Sequence, residues 1–168
     1  SPGDENTQCI VKRLGNPGPI KVNRIHNVIS SSSHHMIVYR TNATEEQTTP
    51  FNCTPFLDTL DPEKGAPLVV TQKYDDLLPL PEGVAFSLDP NQMIRIELHY
   101  INTTGSPVDV SATASFETIP ESEFQHEADF LFVGNVDISI PPNSPATVGP
   151  TWFPVPSEFD GSKVFAIT

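Results

Sequence analysis

The sequence predicts an all-β fold, on three observations. Eighteen prolines and nine glycines among 168 residues argue against helix, and no dozen-residue window both lacks breakers and keeps a helical apolar stripe, apart from weak candidates such as Glu121–Ala128. Several short runs alternate apolar and polar residues with the period of two that a half-buried strand shows. Clusters of Pro, Gly, Asn and Ser punctuate those runs as turns do. At 37% hydrophobic content the chain can fill a β core of modest size.

In chain order, residues 1–8 are polar and expected to be loose at the tip. Strands are expected over 8–13, 34–39, 68–73, 84–88, 93–100 and 108–116. In IRIELHY, Ile94, Ile96, Leu98 and Tyr100 alternate with Arg95, Glu97 and His99, which places the last three on a solvated face. The polar stretch 30–33 reads as a turn, and His26, in Ile-His-Asn, as a surface or turn residue. The pairs Glu45-Glu46 and Asp75-Asp76 read as surface charge in polar loops. A weak helical pattern over 121–128 overlaps a polar linker at 119–123, and His126 beside it reads as a structural hydrogen-bonding residue. Three further strands are expected over 130–140, 146–155 and 163–168. The single tryptophan, Trp152, reads as core or interdomain packing.

The residues that carry chemistry are histidines. His34 and His35 open the run HHMIVY, and His99 lies in IRIELHY. Three imidazoles with no thiolate suit copper, zinc or nickel, and the affinity order of divalent ions favours copper without deciding among them. A regular strand sends neighbours to opposite faces. His34 and His35 can therefore share an ion with His99 only through a twist or bulge, or through different ring nitrogens.

These runs resemble the N-terminal copper domain of the copper type II, ascorbate-dependent monooxygenases, the family of peptidylglycine and dopamine hydroxylases. His34-His35-Met36 before an apolar run is similar to that family's paired copper ligands, and Leu98-His99-Tyr100 to its third ligand. Leu80-Pro81-Glu82-Gly83-Val84-Ala85-Phe86 resembles the turn ahead of the third ligand's strand. Cys9 and Cys53 flank the histidine pair at the offsets of a family disulfide. The likeness spans most of residues 5–120.

The resemblance implies an antiparallel, jelly-roll-like β-sandwich copper domain over 1–124, followed over 125–168 by the opening strands of an incomplete second sandwich. Phe-Leu-Phe-Val-Gly-Asn-Val-Asp-Ile-Ser-Ile-Pro-Pro at 130–142 is similar to the strand and turn that begin the family's second domain. There an H-x-H, directly after a strand like 163–168, and a later Met hold a second copper, so a longer gene product and the remainder of that domain are expected. The implied metal ligands are His34, His35 and His99, with one copper in these residues and two in the whole protein. The first copper takes an electron from ascorbate or a similar small reductant, and the second binds O2 and hydroxylates a C–H bond. These 168 residues alone are then expected to be inactive as a hydroxylase.

This chain departs from the animal enzymes at Glu97, where they carry Gln. A carboxylate there would favour the oxidised ion from outside its ligand set. The family's other cysteines are absent, as in a sparer, bacterial-like relative. If Cys9 and Cys53 are bridged, closing their loop contributes about 4 kcal/mol; the alternative is two buried free thiols. Few thiols in an acidic, Pro-rich β chain fit a secreted, periplasmic or otherwise extracytoplasmic protein that starts after processing. Asn42, Asn52 and Asn102 stand in N-x-Thr tripeptides, which decide nothing by themselves.

A formal charge of −12, from nine basic against 21 acidic residues, argues against nucleic acid and anionic lipid as partners. The sequence holds no run of about 18 apolar residues, so membrane insertion is not expected. Hydrolase triads, Walker loops and dinucleotide fingerprints are missing from it. Two other function classes stay open: an exported copper-carrying module without monooxygenase activity, and a structural or adhesive β-sandwich with incidental histidines.

Overall fold

The computed structural model describes residues 1–56, 65–133 and 138–167. Ten strands form: β1 (Glu5–Arg13), β2 (Ile20–Ile29), β3 (Ser33–Thr41), β4 (Gln47–Asn52), β5 (Ala66–Thr71), β6 (Asp75–Pro79), β7 (Val84–Leu88), β8 (Met93–Ile101), β9 (Ala112–Ile119) and β10 (His126–Glu127). Helix is confined, among the described residues, to single 3-10 turns at Glu121–Glu123 and Ser157–Phe159. The expected all-β, antiparallel sandwich is the observed fold.

One sheet runs β4-β1-β8-β3-β5. The other runs β10-β7-β2-β6, with β9 also paired to β2. All pairings are antiparallel except the two-residue β10–β7 contact. The core between the sheets holds Val22, Ile25, Phe86 and Leu88 from one and Met36, Val38, Leu68 and Ile94 from the other. This is the apolar half of each alternating strand, buried because dehydration of that face is what holds two sheets together.

Two glycines are required by the backbone. Gly83 has φ +75° in the turn that Val84 N closes onto Pro81 O at 3.0 Å, the left-handed position of a type II turn, and so launches β7. At Gly65, φ is +142° and an added Cβ would stand 2.4 Å from the Arg40 carbonyl, so only glycine lets the chain enter β5 beside β3.

The expected strands 8–13, 34–39, 68–73, 84–88, 93–100 and 108–116 correspond to β1, β3, β5, β7, β8 and β9, with shifted ends. Four strands have no counterpart in the expectation: β2, β4, β6 and β10. His26 is thus on a strand, with Nε2 2.6 Å from Asp75 Oδ1, and Asp75 and Asp76 belong to β6 rather than to a loop. The helical pattern at 121–128 yields one 3-10 turn and then β10, because Gln125 N and His126 N donate to Gly83 O and Ala128 N to Ala85 O. Ala128 is buried in the core.

The chain divides into compact units Ser1–Phe130 and Leu131–Ile167. The division expected at 124/125 falls inside the first, since 125–128 are laddered to β7. In the second unit none of the described residues is in a strand. The strands expected over 130–140, 146–155 and 163–168 are not formed there, and residues 134–137 and 168 lie outside the described residues. An extended segment gains no ladder bonds without a neighbour, whatever its apolar pattern. Trp152 is 89% exposed, so it is not core.

Candidate metal centre

Adjacent residues on a strand diverge, yet His34 and His35 face one point. The β3–β8 register slips between Ser33 and His35, and this irregularity turns His34 back toward the face that carries His35. His35 pairs directly with His99 on β8. His34 Nδ1 is 3.3 Å from His35 Nδ1 and 3.3 Å from His99 Nδ1. One ligand nitrogen from each ring lies within 4.8 Å of the others. Two imidazole nitrogens that share an ion at about 2.0–2.1 Å with a tetrahedral angle stand about 3.3 Å apart. Two of the three separations therefore match donors on one small cation, and the third lies within 4.8 Å.

The three rings differ in setting: His34 is exposed, His35 buried and His99 half-buried. Burial first, and then the neighbouring His99 and His34, lower the His35 pKa to about 4. His35 is accordingly neutral at pH 7, the form a metal ligand needs. Its Nε2 is buried without a hydrogen-bond partner among the described residues. The Phe56 ring lies 5.0 Å from the His35 ring and shields it on one side. Phe56 sits at φ +57°, a left-handed backbone that a bulky residue adopts only when its surroundings hold it there.

What holds Phe56 is the next group along β8. Glu97 is fully buried, not solvated as the alternation suggested, and Arg95 is buried with it. The Cys9–Cys53 disulfide carries the 53–56 segment across this outer face. Glu97 Oε1 accepts from Phe56 N at 3.2 Å, and Oε2 accepts from Tyr39 Oη at 3.2 Å. Arg95 Nη2 stands 3.7 Å from Glu97 and donates to Cys9 Sγ at 3.1 Å. Burial raises the Glu97 pKa, opposed by the Phe56 N–H, Arg95, Tyr39 and His99. Cys9, Cys53 and Glu97 also place their ligand atoms within 4.8 Å of one another, but both sulfurs are spent in the disulfide.

Glu97 therefore packs beside the histidines without bonding to them. The carboxylate that touches a ligand ring is Glu5, whose Oε1 lies 2.9 Å from His99 Nε2. Sequence reasoning missed both Glu5 and Phe56. Glu5 lies 94 positions from His99, and only the β1–β8 register, which aligns Thr7 with His99, brings them together. His26 and His126 stay apart from the cluster, on β2 and β10.

The disulfide fits an oxidising, extracytoplasmic compartment, and no helix among the described residues is long and apolar enough to cross a membrane. Of the three sequons, Asn102 is buried and its amide is engaged with Ser1, Thr104 and Ser106. No family model, curated protein or solved structure matches this chain.

Proposed function

We propose that this chain is the electron-transfer copper half of a copper type II, ascorbate-dependent monooxygenase, a secreted or periplasmic oxidoreductase. The observation that carries the reading is the meeting of three imidazole nitrogens, drawn from β3 and β8 by a bulge, at the residues whose sequence resembles that family's ligands. His34, His35 and His99 would hold the ion. Copper, when bound, supplies one-electron storage between an ascorbate-like reductant and hydroxylation with O2 at a second copper centre.

The rest follows from the chain's own residues. Neutral His35 offers its lone pair without first losing a proton, and the sheet register sets His35 and His99 directly opposite each other. The exposure of His34 leaves one side open to a small reductant. Phe56 closes the other side against water. Three nitrogens accommodate both Cu(II) and Cu(I) with little rearrangement.

The test is titration of the purified protein with Cu(II), followed by ascorbate. One copper per chain and complete loss of the Cu(II) electron paramagnetic resonance signal support the proposal. A protein that takes up no copper contradicts it and favours a structural sandwich. Release of the ion on reduction favours a carrier instead.

A further inference from the structure

The candidate ligands are supported unequally. His35 Nε2 is buried with no partner among the described residues, whereas His99 Nε2 meets a carboxylate, Glu5 Oε1, at 2.9 Å. A carboxylate accepts, so the ring proton of His99 sits on Nε2 and its Nδ1 presents a lone pair. That Nδ1 is the atom 3.3 Å from His34 Nδ1.

The position of Glu5 is set by backbone. Glu5 begins β1 opposite Ile101, and the turn before it is pinned where Gly3 N donates to Asn102 O at 2.9 Å and Asn102 N to Asp4 O at 2.8 Å. Thr7 and Cys9 continue the same face toward His99 and Glu97. The first residue of the sheet thereby ends against the outer nitrogen of a candidate ligand.

We propose that Glu5 is a positioning residue of the metal centre: it locks His99 in the tautomer and ring orientation that aim Nδ1 at the ion. It also adds negative charge through the ring. This inference rests on the metal-centre reading above. A carboxylate on the far nitrogen of a ligating imidazole raises the ligand's basicity, and its loss weakens metal affinity about 10- to 100-fold.

The experiment uses the whole chain with Cu(II) and Zn(II) as probes, and compares wild type with Glu5→Ala and Glu5→Gln. Affinity is read by competition with a chelator, the His99 tautomer by 15N nuclear magnetic resonance of the metal-free protein, and folding by urea. Glu5 is 62% exposed on its side chain, so both variants should keep the wild-type unfolding midpoint. Glu5→Ala should bind both ions about 10- to 100-fold more weakly and lose the single Nε2–H tautomer. Glu5→Gln, whose amide oxygen still accepts from Nε2, should keep the tautomer and recover most of the affinity, with a raised copper reduction potential. Unchanged affinity and tautomer in Glu5→Ala would overturn the role of Glu5 while leaving the metal centre intact. A wild type that binds neither ion overturns both.

Discussion

Two ends of one strand face carry polar groups to opposite purposes. At the Arg95–Glu97 end of β8, every buried charge meets a complementary group: a guanidinium, a carboxylate, a phenol, a backbone N–H and a disulfide sulfur. At the His99 end, two residues on, the Nδ1 atoms of His34, His35 and His99 face one another, and His34 Nδ1 lies 3.3 Å from each of the other two. Groups paired with complementary charge lock a structure, whereas imidazole nitrogens that converge on one point offer donor atoms to a cation. On the proposed function, one end serves stability and the other ligand binding.

The comparison breaks first at Glu97. Glu97→Ala removes the buried carboxylate that Arg95, Tyr39 and the Phe56 N–H share, and should cost about 3–5 kcal/mol in urea unfolding. Glu97→Gln should cost less, because its amide oxygen still accepts from Phe56 N or Tyr39. A Glu97→Ala protein as stable as wild type would mean that this end is not the structural one. Next in size, replacing Cys9 and Cys53 together by Ala should cost about 2–4 kcal/mol. It should also loosen the 53–56 segment over His35, which the fluorescence-independent readout of backbone hydrogen exchange would report.

The histidine end gives a pH signature. The His35 pKa is about 4 in the fold against 6.5 for an ordinary histidine. Below pH 6.5 the unfolded chain takes up a proton that the folded chain refuses, so stability is full above that value. It falls as the pH drops toward about 4 and then levels off, with a loss of at most about 3 kcal/mol from this group. Glu97, whose pKa burial raises, acts with the opposite sign and partly offsets the fall. Urea midpoints of metal-free wild type and His35→Asn across this range isolate the term, which should vanish in the variant.

The smallest effect on folding belongs to His99. His99→Ala should change unfolding free energy by less than about 1 kcal/mol, since its hydrogen bond to Glu5 is to a largely exposed carboxylate. Tight copper binding should disappear in the same variant. Equal copper affinity in His99→Ala and wild type would separate this residue from the centre.

Much of the site sheet was legible in the sequence because β8 and β3 keep the strand period. The alternation of Ile94, Ile96 and Leu98 with Arg95, Glu97 and His99 is the observed two-faced strand, and of the routes open to adjacent histidines the backbone takes a register irregularity before His35. Solvation of the polar face was not legible. A second layer, tied down by the disulfide, buries Arg95 and Glu97, and local alternation carries no information about it. Strand β2 was hidden by a register shift between Val22 and Arg24 and by buried Asn27, which together break its apolar period. Strand β4 lies at a sheet edge, exposed and interrupted by Pro50, where proline is tolerated. The described residues among 131–167 show the reverse case: they read as strands but form none, because strand is a property of a pair.

The proposed function stands on β3 and β8 building one three-imidazole copper site. X-ray absorption of the stoichiometrically copper-loaded protein tests it most directly, with the His34→Ala/His35→Ala/His99→Ala triple variant beside it. The expected result is three imidazole nitrogens at about 2.0 Å per copper and no stoichiometric copper in the triple variant. Copper retained by that variant, or a wild-type ion with fewer than three imidazoles, would contradict it.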